Sequence, residues 1–164
     1  MSARVVFRVV EPADLEQVRA LNEAAVPAVN SVSVAQLCEL ETMSIRFLVA
    51  HRDDQLAGFL ILMASDAPYS SANYQWFSAR YVEFLYVDRI VVAPNFHRLG
   101  IARSFYTRAQ QLARERSVVL TCEVNLIPPN PQSMAFHLKS GFQEVGQLHH
   151  ESDDKLVSLL ALEP

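Results

Sequence analysis

Residues 81–105, YVEFLYVDRIVVAPNFHRLGIARSF, constrain the fold of this chain more than any other stretch. The first half is more apolar than alternating, which predicts a long strand covered on both faces and therefore central in its sheet. The strand runs into Pro94, then polar side chains, then Gly100, one of only four glycines in the chain. Beyond the glycine the period changes. Leu99, Ala102, Phe105, Tyr106, Ala109, Leu112 and Ala113 recur at threes and fours, the pattern of an amphipathic helix. The first backbone N–H groups of such a helix have no intrahelical acceptor and sit at the positive end of its dipole. That end suits a phosphate or pyrophosphate wherever the backbone is closely approachable. Gly100 has no Cβ in the way, Ala102 is the next smallest residue, and Arg98 and Arg103 add charge-assisted contacts. A plain strand–helix turn with a glycine for packing is the alternative.

The rest of the chain supplies the other parts of an α/β domain. ARVVFRVV is strand-like, and Pro12 then opens a helix carrying Leu15, Val18, Leu21 and Ala25. Ser33 and Gln36 form a capping-box pattern ahead of Leu37 and Leu40, which predicts a second helix. SIRFLVAH and LAGFLILMA read as strands joined by a turn, and SVVLTCEV as another buried strand. NPQSMAFHLKSG reads as a short helix closing on Gly141, and FQEVGQLHH with KLVSLLALE as a final hairpin. Residues 65–81 form an insertion with Tyr69, Tyr74, Trp76, Phe77 and Tyr81. A loop of this length is either a lid or binding surface, or a segment whose aromatics pack on the core or on a second copy.

Composition excludes several classes. The net charge of −4 and the lack of a basic stripe argue against nucleic-acid binding. No apolar run reaches the ~18 residues of a membrane span, and the first residues lack a signal-peptide pattern, so a cytoplasmic protein with no membrane partner is expected. Cys38 and Cys122 suit a reduced compartment, where cysteine acts as a small buried hydrophobe. His149 and His150 beside Glu151, Asp153 and Asp154 invite a metal reading, but the acidic cluster falls in a hairpin turn where it is more simply solvated, and no metal is expected. The Walker and three-glycine dinucleotide phosphate loops are both absent.

The segment VVAPNFHRLGIARSFYTRA resembles the acyl-CoA-binding segment of the GNAT N-acetyltransferases: Gln or Arg, two residues, Gly, one residue, then Gly or Ala, all following a strand. Gly100 and Ala102 match, and His97 stands where the family prefers Gln or Arg. Downstream, NPQSMAFHLKSGF resembles a second family pattern through Asn130, Ser133, Gly141 and Phe142, with His137 where Tyr is usual. The order of elements agrees over nearly the whole chain. The resemblance implies a single GNAT domain over residues 1–164. Its sheet is central, mixed and mostly antiparallel, with about seven strands flanked by four helices. It is splayed between the strand ending at Val92 and the one near Cys122, where the thioester lies.

The resemblance also assigns roles. The backbone of Ile90, Val91 and Val92 pairs with the pantetheine arm of acetyl-CoA. His97, Arg98, Leu99, Gly100, Ile101, Ala102 and Arg103 form the pyrophosphate turn, and Asn130, Ser133 and His137 line the donor from the next helix. The implied activity is acetyl transfer from acetyl-CoA to a primary amine of a small molecule, amino acid or peptide. A non-catalytic acyl-CoA-binding or interaction module is the rival, and the aromatics of the insertion leave a homodimer open.

Three residues are candidates for the transfer itself. Glu83 and Asp88 lie on the strand that leads to the donor, an odd number apart, so a regular strand points them to opposite faces. Either could take a proton from the amine through a water or bind the ammonium, with Glu83 preferred as base, or could simply pair with Arg80 or Arg89. His137 supplies a proton to the leaving thiolate, or only fills the shape of the usual Tyr.

Overall fold

The computed structural model describes residues 4–164. Seven strands form one open, mixed sheet in the order β1-β2-β3-β4-β5-β7-β6. The strands are β1 Val6–Val9, β2 Arg46–Arg52, β3 Gln55–Ala64, β4 Phe84–Val92, β5 Val119–Ile127, β6 Gln143–His150 and β7 Lys155–Leu162. The described residues contain five α-helices: α1 Leu15–Ala24, α2 Val34–Met43, α3 Ala72–Ser78, α4 Ile101–Arg116 and α5 Pro131–Lys139. Four were expected. The additional one, α3, occupies the segment read as an insertion. Among the described residues, no helix is long and apolar enough to cross a membrane.

The chain divides into two compact units, whose boundaries fall within β3, β4 and α4. The first comprises Met1–Met63 and Asp88–Ala109. Here β1 pairs antiparallel with β2, and β2 with β3. The β2–β3 turn is Asp53–Asp54, both left-handed (φ 51° and 62°), the backbone of a type I′ hairpin turn that aspartate tolerates better than most side chains. Val18, Leu37, Val49, Phe59, Ile61 and Phe105 are fully buried. The expected capping box is formed: Ser33 Oγ accepts from the Gln36 amide at 3.1 Å, and Gln36 Oε1 accepts from the Ser33 amide at 2.9 Å. Pro12 begins a short 3-10 turn through Asp14, and α1 follows from Leu15.

Gly58 sets a tight contact in this unit. A Cβ placed on it would lie 2.7 Å from the Val91 carbonyl oxygen, 3.3 Å from Phe105 Cε2 and 3.4 Å from Val92 Cα. The Ala93 amide donates to the Ala57 carbonyl at 2.8 Å, so the end of β4 is fixed close against β3.

The second unit comprises Ala64–Val87 and Gln110–Pro164. β4 and β5 run parallel, pairing Phe84, Leu85 and Tyr86 with Val119, Leu120 and Thr121, a short ladder for two strands of 9 residues each. β7 pairs antiparallel with both β5 and β6. The aromatics of α3 enter the core of this unit: Tyr74 and Phe77 are buried, and the Tyr74 hydroxyl donates to the Ala64 carbonyl at 2.6 Å. Trp76 lies on Gly146 of β6, in space that any Cβ there would fill. His150 Nε2 meets Asn73 Oδ1 at 2.8 Å, and the Arg80 guanidinium stacks over Trp76 at 3.6 Å. These contacts favour the core-packing reading of residues 65–81.

Candidate active site

The turn before α4 differs from a simple strand–helix connection. The helical spacing read from the sequence begins at Leu99, but α4 begins at Ile101 because Arg98 and Gly100 are both left-handed (φ 67° and 75°). Glycine adopts that conformation freely, whereas for Arg98 it carries a cost that the surrounding turn must offset. The first helical bond is Ser104 N–H to the Gly100 carbonyl at 2.9 Å, so the amides of Ile101, Ala102 and Arg103 precede it and form the positive helix end. A Cβ on Gly100 would meet nothing within 4 Å, so this face of the turn is open to an approaching group. Arg98 and Arg103 are exposed, as are His97 and Leu99, while Ile101 is buried and packs α4 into the unit. Alternating left-handed residues next to a helix start form an anion-binding concavity. The turn therefore offers an anion an open seat of main-chain amides.

Leading into the turn, Val91 is buried, and Ile90 and Val92 are half-buried. His97 Nε2 lies 3.0 Å from the Val92 carbonyl oxygen. A surface cavity of about 410 Å³ elsewhere in this unit is lined by Arg4, Val6, Arg8, His51, Asp53 and Asp54. Arg8 is committed there to a two-pronged contact with Asp14 (2.7 and 2.8 Å), and two carboxylates border the cavity, which suits an anionic donor poorly.

The two proposed carboxylates fare differently. Glu83 does not lie on the strand: β4 begins at Phe84, and Glu83 is exposed in the bend before it. Asp88 is on the strand, its side chain only 6% exposed, and Oδ2 stands 3.4 Å from Arg89 Nε. Arg89 in turn donates through Nη1 to the Asn22 side-chain oxygen at 3.0 Å and to the Asn30 carbonyl at 2.6 Å. Asn22 Nδ2 donates to the same carbonyl at 2.9 Å, and Glu23 accepts from the Val32 amide and the Ser31 hydroxyl, both at 2.8 Å. These bonds hold the Glu23 carboxyl below the usual carboxylate range, the Val32 amide most of all. The ion-pair reading of Asp88 with Arg89 is therefore realised, within a network that holds the α1–α2 connection.

In the second unit, Asn130 caps α5, its side-chain oxygen accepting from the Ser133 amide at 3.3 Å. His137, one turn after Ser133, is 4% exposed and flanked edge-on by Phe136 and Phe142. Its Nδ1 lies 2.7 Å from the Ser133 carbonyl oxygen, which only accepts, so Nδ1 carries the hydrogen and Nε2 of the neutral ring is an acceptor. Burial lowers its pKa below the usual imidazole value, opposed by the bond to Ser133, so the ring is neutral at pH 7. His149 meets Asp154 at 2.8 Å while His150 meets Asn73, so the two histidines engage separate partners.

One residue of chemical interest escaped the sequence reading. The Tyr86 hydroxyl donates to Glu123 Oε1 at 2.9 Å, from β4 to β5, with Glu123 two residues beyond the last ladder pair at Thr121. A single carboxylate inside the apolar run SVVLTCEV was the available signal.

The first unit thus carries a strand-to-helix anion turn after β4, and the second a helix capped by Asn130. The chain matches the family model described as acetyltransferase (GNAT) family over residues 15–142, and it belongs to that family. Solved structures agree in fold. The ribosomal-protein-S18-alanine N-acetyltransferase from Escherichia coli aligns with a TM-score of 0.71 at 16% identity, over 98% of this chain and 94% of that one. NAA60 of Arabidopsis thaliana, in complex with a bisubstrate analogue, aligns at 0.75 and 17% identity over 98% of each chain. The structure of yncA from Salmonella typhimurium with its cofactor acetyl-CoA aligns at 0.72 and 15% identity, over 98% of this chain and 94% of that one.

Proposed function

We propose that this protein transfers an acetyl group from acetyl-CoA to the primary amine of a small molecule, amino acid or peptide, by direct attack of the amine on the thioester. The observation that carries this reading is the pair of left-handed residues, Arg98 and Gly100, ahead of α4, with the open face at Gly100. When bound, the donor supplies an activated acetyl thioester. The amides of Ile101, Ala102 and Arg103 hold its pyrophosphate, and Arg98 and Arg103 neutralise charge there. The main chain of Ile90, Val91 and Val92 pairs with the pantetheine arm, as an added strand would. Asn130 uses its side-chain oxygen as a cap and keeps its NH₂ group for the donor. A main-chain N–H at the end of β4 stabilises the oxyanion.

Glu123, oriented by the Tyr86 hydroxyl, is the candidate base that the second unit offers. Asp88 is less suited to bind an ammonium, because Arg89 stands beside it. Glu83 is exposed in the bend one residue ahead of β4. His137, with Nδ1–H spent on Ser133, is neutral and lines the site where the family's usual Tyr stands, so it does not protonate the leaving group. A thiol of pKa about 8.5 leaves near neutral pH with little help.

A lightly equipped site of this kind suits an α-amine. At a pKa of about 8, roughly one-tenth of such an amine is neutral at pH 7, against about one lysine in 2,500 at 10.4. The S18-alanine enzyme from Escherichia coli, named for an alanine acceptor, supports this preference by its similar fold. The test is release of CoA thiol across a panel of peptides with free α-amines or with only lysine ε-amines. Faster release with α-amines is expected, and equal rates would refute the preference. CoA binding with no acceptor-dependent release would favour a non-catalytic acyl-CoA-binding module instead.

A further inference from the structure

We propose that His97 is a positioning residue for the acyl donor: its imidazole latches the turn of residues 94–100 to the last carbonyl of β4, holding the anion cradle in shape before the donor arrives. The proposal rests on the acyl-donor reading above and adds a role for a side chain that otherwise departs from the family pattern.

The latch is built from short-range geometry. His97 Nε2 is 3.0 Å from the Val92 carbonyl oxygen, and since a carbonyl only accepts, Nε2 carries the hydrogen. Between the two residues the chain turns through Pro94–Phe96, with Phe96 N–H bonded to the Ala93 carbonyl at 2.9 Å and His97 N–H to that of Pro94 at 3.2 Å. The carbonyl it grips is itself fixed, because the next amide, Ala93, donates to Ala57 at 2.8 Å. The residue just after the latch is Arg98, at φ 67° without glycine's freedom. A side chain that ties residue 97 back to the strand limits the ways this strained turn can relax. The amides of residues 101–103 are thereby presented with less ordering left for the donor to impose.

The same geometry argues against a direct role on the phosphate. The Nε2–H is committed to the Val92 carbonyl and not to a phosphate oxygen. His97 therefore acts through the turn. Glutamine and arginine, the residues the family prefers at this position, likewise carry an N–H near the side-chain tip.

The test compares the full chain with His97→Ala, which removes the donor, and His97→Gln, which restores one. CoA binding is measured by calorimetry, amide hydrogen exchange by mass spectrometry on peptides spanning residues 93–100 without ligand, and steady-state KM for each substrate. His97→Ala is expected to weaken CoA binding by about 2- to 10-fold, the worth of one ordinary hydrogen bond. It should speed exchange in the unliganded turn and raise the KM for acetyl-CoA while leaving that of the acceptor in place. His97→Gln should stay within about twofold of the unaltered chain, within the spread of an equivalent hydrogen bond. Unchanged CoA affinity and exchange in His97→Ala, or a His97→Gln protein as impaired as His97→Ala, would overturn the latch. Failure of the unaltered chain to bind CoA would overturn the donor reading itself, while the exchange comparison still decides whether the latch exists.

Discussion

Gly58→Ala tests whether the end of β4 lies where the donor reading needs it. The added methyl would sit 2.7 Å from the Val91 carbonyl oxygen, closer than carbon and oxygen tolerate, and the obstructing atom is main chain. Its other near neighbours, Phe105 Cε2 at 3.3 Å and Val92 Cα at 3.4 Å, leave little room on the other sides. Overpacking of this kind costs about 1–3 kcal/mol. For a chain of this size each kcal/mol lowers Tm by about 2–4 °C, so a fall of roughly 2–12 °C is expected. Val91 and Val92 are also the residues whose main chain is assigned to the pantetheine arm, so CoA affinity should fall as well. Thermal unfolding followed by circular dichroism measures the first effect, and calorimetric titration with CoA the second. Phe105→Leu serves as a control in a double-mutant cycle, since it gives way at the ring but not at the carbonyl. Two results would refute the reasoning: a Tm and CoA affinity equal to those of the unaltered chain, or full rescue of Gly58→Ala by Phe105→Leu.

Four further outcomes are expected. Glu123→Gln should lower kcat by about 10²-fold or more, with a smaller effect at high pH where the amine is already neutral; a pH-independent loss would argue for a structural role. Gly146→Ala should destabilise the protein by about 1–3 kcal/mol through its clash with Trp76, and Trp76→Leu should recover part of that in chemical denaturation. Asp14 is held below the usual carboxylate range first by its hydrogen bond from Arg8, against the effect of burial. Its contribution is thus complete above the unfolded value of about 3.9 and is lost as pH falls toward the native one, so Asp14→Asn should be less stable at pH 7 and lack that acid step. Burial lowers the pKa of His137, so protonation favours the unfolded chain and stability declines as pH drops below about 6.5. His137→Phe should show a smaller decline between pH 7 and pH 5 in urea titrations, and retain most of kcat.

Periodicity and capping made most of the fold legible. The Ser33–Gln36 box, the long apolar β4 and the three-and-four spacing of α4 each follow from local chemistry, and each is found. The misses have local causes too. α3 has 7 residues, too few for a period to declare itself, and its aromatics disguised a helix as a loop. The start of α4 moved to Ile101 because Arg98 adopts a left-handed conformation that no propensity for arginine announces. Glu83 was placed by alternation on a strand that begins one residue later. Glu123 became visible only when β5 was set beside β4 and the Tyr86 hydroxyl was seen to reach it.

The α1–α2 connection carries a consequence for how freely this protein can be rewritten. Three of the hydrogen bonds by which Arg89, Asn22 and Glu23 grip residues 30–32 fall on main-chain atoms: two on the Asn30 carbonyl and one on the Val32 amide. The bond from Ser31 uses its side chain. Those three anchors do not depend on which amino acid stands at position 30, or on any at 32 other than proline. A library randomised at positions 30 and 31, with Asn22, Glu23 and Arg89 kept, would therefore sample new surface chemistry while keeping these three main-chain anchors, whereas grafts that omit Arg89 would lose one of them.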